Sequence, residues 1–141
     1  MVNKQFNYIF VIEKVTDMPK GFSIKKRLNS FVFAYRGIRY AISSQHNFII
    51  HISLTIIAIF LGIILQISNL EWISIIIVIG IVMASEIINT SIEELVNFIS
   101  PEKNTLAGRI KDLAAGAVLI SAIASFIVGA IIFLPKIFEL L

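Results

Sequence analysis

The sequence predicts an all-α integral membrane protein, with an N-terminal amphipathic surface helix followed by three transmembrane helices. Three observations predict it. Of the 141 residues 57% are hydrophobic and only 15% are charged, too little charge to cover a soluble domain of this size. The apolar residues gather into three runs of membrane-crossing length. The basic residues gather outside those runs: of 12 Lys and Arg, eight lie at or before Arg39, three at Lys103, Arg109 and Lys111, and one at Lys136. The same composition excludes other classes. Apolar dominance excludes a disordered chain. The absence of cysteine excludes a disulfide scaffold, a Cys-ligated metal and a Cys nucleophile. The net charge of +3 is modest, and its placement reads as membrane topology rather than a nucleic-acid footprint.

Residues 1–23 read as a weakly ordered leader. The apolar residues of Phe6–Ile12 are too few for a secretory signal and are followed by Glu13, Lys14 and Asp17. Over residues 24–47, Phe31, Ala34, Tyr35, Ile38 and Ile42 recur at three and four residues, while Lys25, Arg36, Arg39 and Ser43 fall largely elsewhere on the wheel. That is an amphipathic helix lying on the membrane with its basic groups toward anionic headgroups. A plain membrane anchor accounts for the pattern equally well. The first span, about 48–67, carries no formal charge and is punctuated by Ser68-Asn69. The second, about 71–99, starts beside Trp72, where an interfacial aromatic anchor would sit, and is stopped by Pro101. The third, about 112–134, ends at Pro135, and its Ala114–Ala117 stretch suits close helix contact. The basic residues place the N-terminal segment and the loop before Lys111 in the cytoplasm and the C-terminal tail outside, in the cell membrane.

The chemistry gathers at the end of the second span. At 100° per residue Glu86, Asn89, Thr90, Glu93 and Asn97 share about 100° of one helix face. An ionisable group inside a span costs on the order of 2–3 kcal/mol. One such residue is explained as well by a packing ion pair as by a site. Five polar groups in a stripe favour a site. Glu86 and Glu93 stand two turns apart, about 10.5 Å, which suits two tasks: a base at a reacting hydroxyl and a ligand for a hard cation such as Mg²⁺. Arg109, Lys111 and Asp112 open the third span on the same side, and cations beside carboxylates suit phosphate chemistry, although a positive-inside flank explains them too. There is no P-loop and no Rossmann fingerprint. His46 and His51, five residues apart, do not share a helix face, which disfavours a metal pair.

Glu86-x-x-Asn89-Thr90-x-x-Glu93, Lys111-Asp112-Leu-Ala-Ala-Gly-Ala-Val, Tyr35-Arg-Gly37-Ile38-Arg-Tyr-Ala and His46-Asn47-Phe48-x-x-His51 together resemble the prokaryotic diacylglycerol kinase family, which includes the undecaprenol kinases. The resemblance runs from about Arg27 to Leu134. It implies a homotrimeric membrane kinase that transfers the ATP γ-phosphoryl group to a lipid hydroxyl with Mg²⁺ as cofactor, and no nucleic-acid partner. It implies that Glu86 is the general base and that Glu93 and Gln45 are metal ligands. For ATP it implies Lys26, Arg27, Phe33, Gln45, Asn89, Glu93, Glu102, Lys103, Asn104, Lys111 and Asp112. For the lipid it implies Phe31, Arg36, Arg39, Phe48 and His51 beside Glu86. Two departures stand out: Gln45 occupies a position where the family often has Glu, and Asn97 one where some members have Asp. An inactive family member, or a small non-enzymatic subunit with an ion-handling helix bundle, is the alternative. The Ala-Ala-Gly-Ala-Val and Asn-Phe-x-x-His forms resemble the undecaprenol-kinase branch more than the diacylglycerol branch.

Overall fold

A computed structural model describes residues 24–102 and 104–140. The expected leader, residues 1–23, lies outside the described residues. Four helices follow one another: α1 (Ile24–Ser44), α2 (His46–Ile64), α3 (Asn69–Ile99) and α4 (Thr105–Phe138). The last three are long and apolar enough to cross a bilayer. The chain divides into two units, residues 1–35 and 36–141. The described part of the first is the N-terminal half of α1, whose Leu28, Phe31, Val32 and Phe33 are exposed. The second holds the remainder of α1 and the three long helices. There α3 and α4 form the principal packed pair, and α2 lies mainly against α3.

Several boundaries differ from the sequence expectation, each for a local reason. The surface helix ends at Ser44 rather than near residue 47, because Gln45 adopts an extended backbone (φ −116°, ψ 116°) and caps α2. His46 and Asn47 therefore belong to the first span. That span stops as a helix at Ile64, although the apolar run continues to Ile67. Gln66 takes a left-handed φ of 47°, and two bonds close the turn, Gln66 N–H to the Ile63 carbonyl at 3.3 Å and Ile67 N–H to the Gly62 carbonyl at 3.1 Å. This is a Schellman ending with glutamine in the position glycine usually takes. Ile67 is then free to turn inward, where it is 6% exposed and packs with Ile75, Ile132 and Phe133. Hydropathy registers that burial and cannot register the helix end.

Helix α3 begins with a capping box at Ser68 and Glu71. The Ser68 N–H donates to Glu71 Oε2 at 2.6 Å and the Glu71 N–H to Ser68 Oγ at 3.4 Å. The same carboxylate lies 3.5 Å from Lys136 Nζ, so the turn is tied to the far end of α4. Trp72 is half-buried and leans on Gly62, where an added Cβ would stand 2.7 Å from the indole. It is a packing residue as much as an interfacial one. Helix α4 is longer than the expected third span at both ends. It starts at Thr105, so Arg109, Lys111 and Asp112 lie in its first turns rather than in a loop. It also runs through Pro135, which removes one backbone donor without stopping the helix. Near mid-span the Ser85 and Ser121 hydroxyls meet at 3.0 Å across the α3–α4 interface.

Candidate functional site

The polar stripe on α3 is buried where it enters the bundle. Glu86 is 1% exposed, Asn89 6% and Thr90 4%. Glu93 is half-buried and Asn97 exposed, so the stripe climbs from the apolar interior toward the α3–α4 loop. Its hydrogen bonds sort the members by role. The Thr90 hydroxyl donates to the carbonyl of Glu86 at 2.9 Å, so it serves its own helix backbone rather than a ligand. Asn89 Nδ2 donates to Glu93 Oε1 at 3.0 Å, which fixes both side chains. Two acceptors are left buried without a partner, Glu86 Oε2 and Asn89 Oδ1. Buried acceptors are ordinarily satisfied, and leaving one bare costs about 1–3 kcal/mol. Both oxygens therefore call for a hydroxyl, a water or a cation.

A second group stands further along the same helix. Lys111 Nζ donates to Asn97 Oδ1 at 2.6 Å, joining α4 to α3. Beside this bond a cavity of about 420 Å³ is lined by Asn97, Ser100, Glu102, Asn104, Gly108 and Lys111 among others. Asn104 is the N-cap of α4, its Oδ1 accepting from the N–H groups of Leu106 at 2.8 Å and Ala107 at 3.4 Å. The N-terminal dipole of a long helix and the Lys111 ammonium thus lie beside one cavity, a combination that favours anions. From Glu86 to Asn97 is about 16 Å along the helix axis.

The structure brings together Asn89 with Glu93, and Glu102, Asn104 and Lys111 around the cavity. Asp112 and Arg109 are exposed and do not line it. Gln45 is half-buried at the α1–α2 break, with no side-chain bond to the helix it caps. Phe48 is buried on α2, at 3% exposure. His51 is half-buried and lines a second cavity, of about 390 Å³, between α2, α3 and α4. Arg36 and Arg39 are exposed on α1. Arg27, Phe31 and Phe33 belong to the first unit, where each is exposed. The side chains of Lys26 and Lys103 lie outside the described residues.

Two residues escaped the sequence reading. Tyr40 Oη donates to Glu94 Oε1 at 2.9 Å, pinning the end of α1 to α3 beside Glu93. This bond holds the Tyr40 phenol above its ordinary range, helped by the negative charge of Glu94 and, less, by burial. No local signal links residues 54 positions apart. Among the described residues no group of three His, Cys, Asp or Glu side chains is gathered closely enough to hold a metal ion.

The prokaryotic diacylglycerol kinase family model matches residues 32–133. An undecaprenol kinase of Bacillus subtilis is 37% identical over 113 residues, covering 80% of this chain and 92% of the relative. A diacylglycerol kinase of Synechocystis is 35% identical over 115 residues, 81% of this chain and 66% of the relative. A diacylglycerol kinase of Haemophilus influenzae is 30% identical over 117 residues, 82% and 99%.

Proposed function

The chain belongs to the prokaryotic diacylglycerol kinase family and is a membrane lipid kinase; on that premise we propose that it transfers the γ-phosphoryl group of ATP to the primary hydroxyl of undecaprenol. In this reading the lipid oxygen bonds to the γ-phosphorus and the bond from that phosphorus to the bridging oxygen breaks. ADP departs with the electron pair, and the hydroxyl proton passes to Glu86. The observation that carries the reading is the unpartnered, buried Glu86 Oε2. A buried acceptor with no partner from the protein is what a lipid hydroxyl entering from the bilayer needs, and a base of this kind is worth about 10²–10⁴ in rate.

The remaining residues take the phosphate end. Lys111, Asn104 and Glu102 line the cavity beside the α4 N-terminus, where a triphosphate meets an ammonium and a helix dipole. Glu93, Asn89 Oδ1 and Gln45 offer oxygen donors only, the set that suits a hard cation, and Asn89 Oδ1 has no competing partner. Mg²⁺ held there would neutralise phosphate charge. Glu93 is the one carboxylate among the three, since Gln45 contributes an amide oxygen without charge. For the acceptor, undecaprenol is favoured by the relative that bears its name and by the Ala114–Ala117 and Asn47-Phe48 forms noted above. The family resemblance and the positive-inside pattern further support a homotrimer with its site on the cytoplasmic side of the cell membrane.

The test is one preparation in lipid, supplied with MgATP and either undecaprenol or diacylglycerol. The expected result is phosphate on undecaprenol, with Glu86→Gln losing at least about 10²-fold in kcat and keeping the oligomer. Phosphorylation of diacylglycerol alone would overturn the acceptor, and full activity of Glu86→Gln would remove Glu86 as base.

A further inference from the structure

The triphosphate cavity draws its positive side chain from Lys111, whose ammonium ends a flexible four-carbon stem. Ordering such a stem only when a ligand arrives weakens binding, and ordering it beforehand strengthens binding. In this molecule the stem is already tethered. Lys111 Nζ donates to Asn97 Oδ1 at 2.6 Å, from the first turns of α4 to the last turn of α3. Both residues line the same cavity of about 420 Å³.

The chemistry of the pair fixes its direction. An ammonium has three N–H donors and no acceptor, so it can meet only the oxygen of the amide. One donor goes to Asn97, which leaves the others for a ligand. No carboxylate stands at ion-pair distance from Lys111 among the described residues, and the Lys136–Glu71 pair lies toward the other end of α4. The amide therefore holds the ammonium in place without cancelling its charge.

The charge balance of the cavity makes that neutrality matter. Of the described residues that line it, only Lys111 and Glu102 carry a formal charge, one of each sign. The N-terminal dipole of α4, capped by Asn104, tips the balance toward anions. A carboxylate at position 97 would make the lining net negative. It would also stand in the last turn of α3, where the helix dipole disfavours negative charge. Aspartate would still bond Lys111, and more strongly, through a charge-assisted hydrogen bond. What it would remove is the uncancelled positive charge.

We propose that Asn97 is a positioning residue for phosphate binding, a neutral acceptor that holds Lys111 at the cavity wall and leaves its charge for the anion. The assignment rests on this cavity taking the triphosphate, as proposed above.

The experiment uses the full-length protein in lipid, as wild type, Asn97→Asp, Asn97→Leu, Lys111→Met and the Asn97→Leu/Lys111→Met double variant. Calorimetric titration gives the dissociation constant of MgATP, inorganic tripolyphosphate is titrated as a competitor, and kcat and KM are measured with the lipid alcohol. Asn97→Asp is expected to weaken MgATP and tripolyphosphate alike, by about tenfold, with a thermal midpoint at or above that of wild type. Its ATP KM should rise far more than its kcat falls. Asn97→Leu is expected to weaken both anions by about three- to tenfold. The double variant should bind no more weakly than Lys111→Met, because the asparagine acts through the lysine. A bond that merely ties α3 to α4 predicts the opposite for aspartate, which keeps the tie and should then bind ATP as wild type does. Wild-type affinity in either single Asn97 variant, or losses that simply add in the double variant, would overturn the proposal. Wild-type affinity in Lys111→Met would instead take the phosphates out of this cavity, sinking the triphosphate reading and the proposal together.

Discussion

At the scale of single residues, the stripe on α3 shows how one helix face divides its labour. Glu86 presents a bare acceptor, Thr90 caps a carbonyl of its own backbone, and Asn89 spends its amide on Glu93 while its oxygen stays open. Glu93→Gln tests the metal assignment cleanly, because a glutamine oxygen still accepts from Asn89 and preserves the local geometry. The expected outcome is an Mg²⁺ requirement raised about tenfold or more at unchanged oligomeric state. An unaltered Mg²⁺ titration would reassign the ligand. Glu94, one residue on, has a different occupation in the bond from Tyr40. The Tyr40 phenol, raised above its ordinary value, keeps its proton at and below that value and yields it only as pH rises through the higher one. The link between α1 and α3 is therefore intact across the neutral range.

At the scale of elements, the α2–α3 connection is the tightest piece of local engineering. Leu65 and Gln66 form the turn, the Ser68–Glu71 capping box starts the next helix, and Gly62 makes room for Trp72. A non-glycine residue at a left-handed φ costs on the order of 1 kcal/mol. Gln66→Gly should therefore raise stability by about 0.5–1 kcal/mol, read as a higher thermal midpoint in detergent. Gly62→Ala should lower it by about 1–3 kcal/mol, because the added methyl meets the rigid indole ring rather than the end of a flexible chain. Opposite shifts at two positions four residues apart would confirm that turn geometry and close approach are separate demands. A stabilising Gly62→Ala would refute the Trp72 packing.

At the scale of the whole molecule, the proposed site falls into two parts. The Glu86–Glu93 ladder and the cavity at Lys111 are separate groups on the same helix pair, and no metal cluster forms among the described residues. In the homotrimer proposed above, sites shared between chains would join the two. Co-reconstitution of Glu86→Gln with Lys111→Met subunits should then restore activity that neither variant shows alone, and absence of any regain would place each site within one chain. Composition alone settles the class of molecule, since charge scarcity and three apolar runs decide which solvent a chain can inhabit. Residue order also determined the stripe of Glu86, Asn89, Glu93 and Asn97, because a period of 3.6 residues is local and a helix is the only fold such a run can take in lipid. It could not determine the ends of α2 and α4, where an apolar residue reads alike whether it continues a helix or fills a core as Ile67 does. Which polar atoms are spent and which are left bare emerges from the packing of the helices. Tyr40 with Glu94, Lys111 with Asn97 and Ser85 with Ser121 join residues far apart in the chain. Hydrogen-bond satisfaction depends on what packing brings within 3 Å rather than on what precedes or follows in sequence.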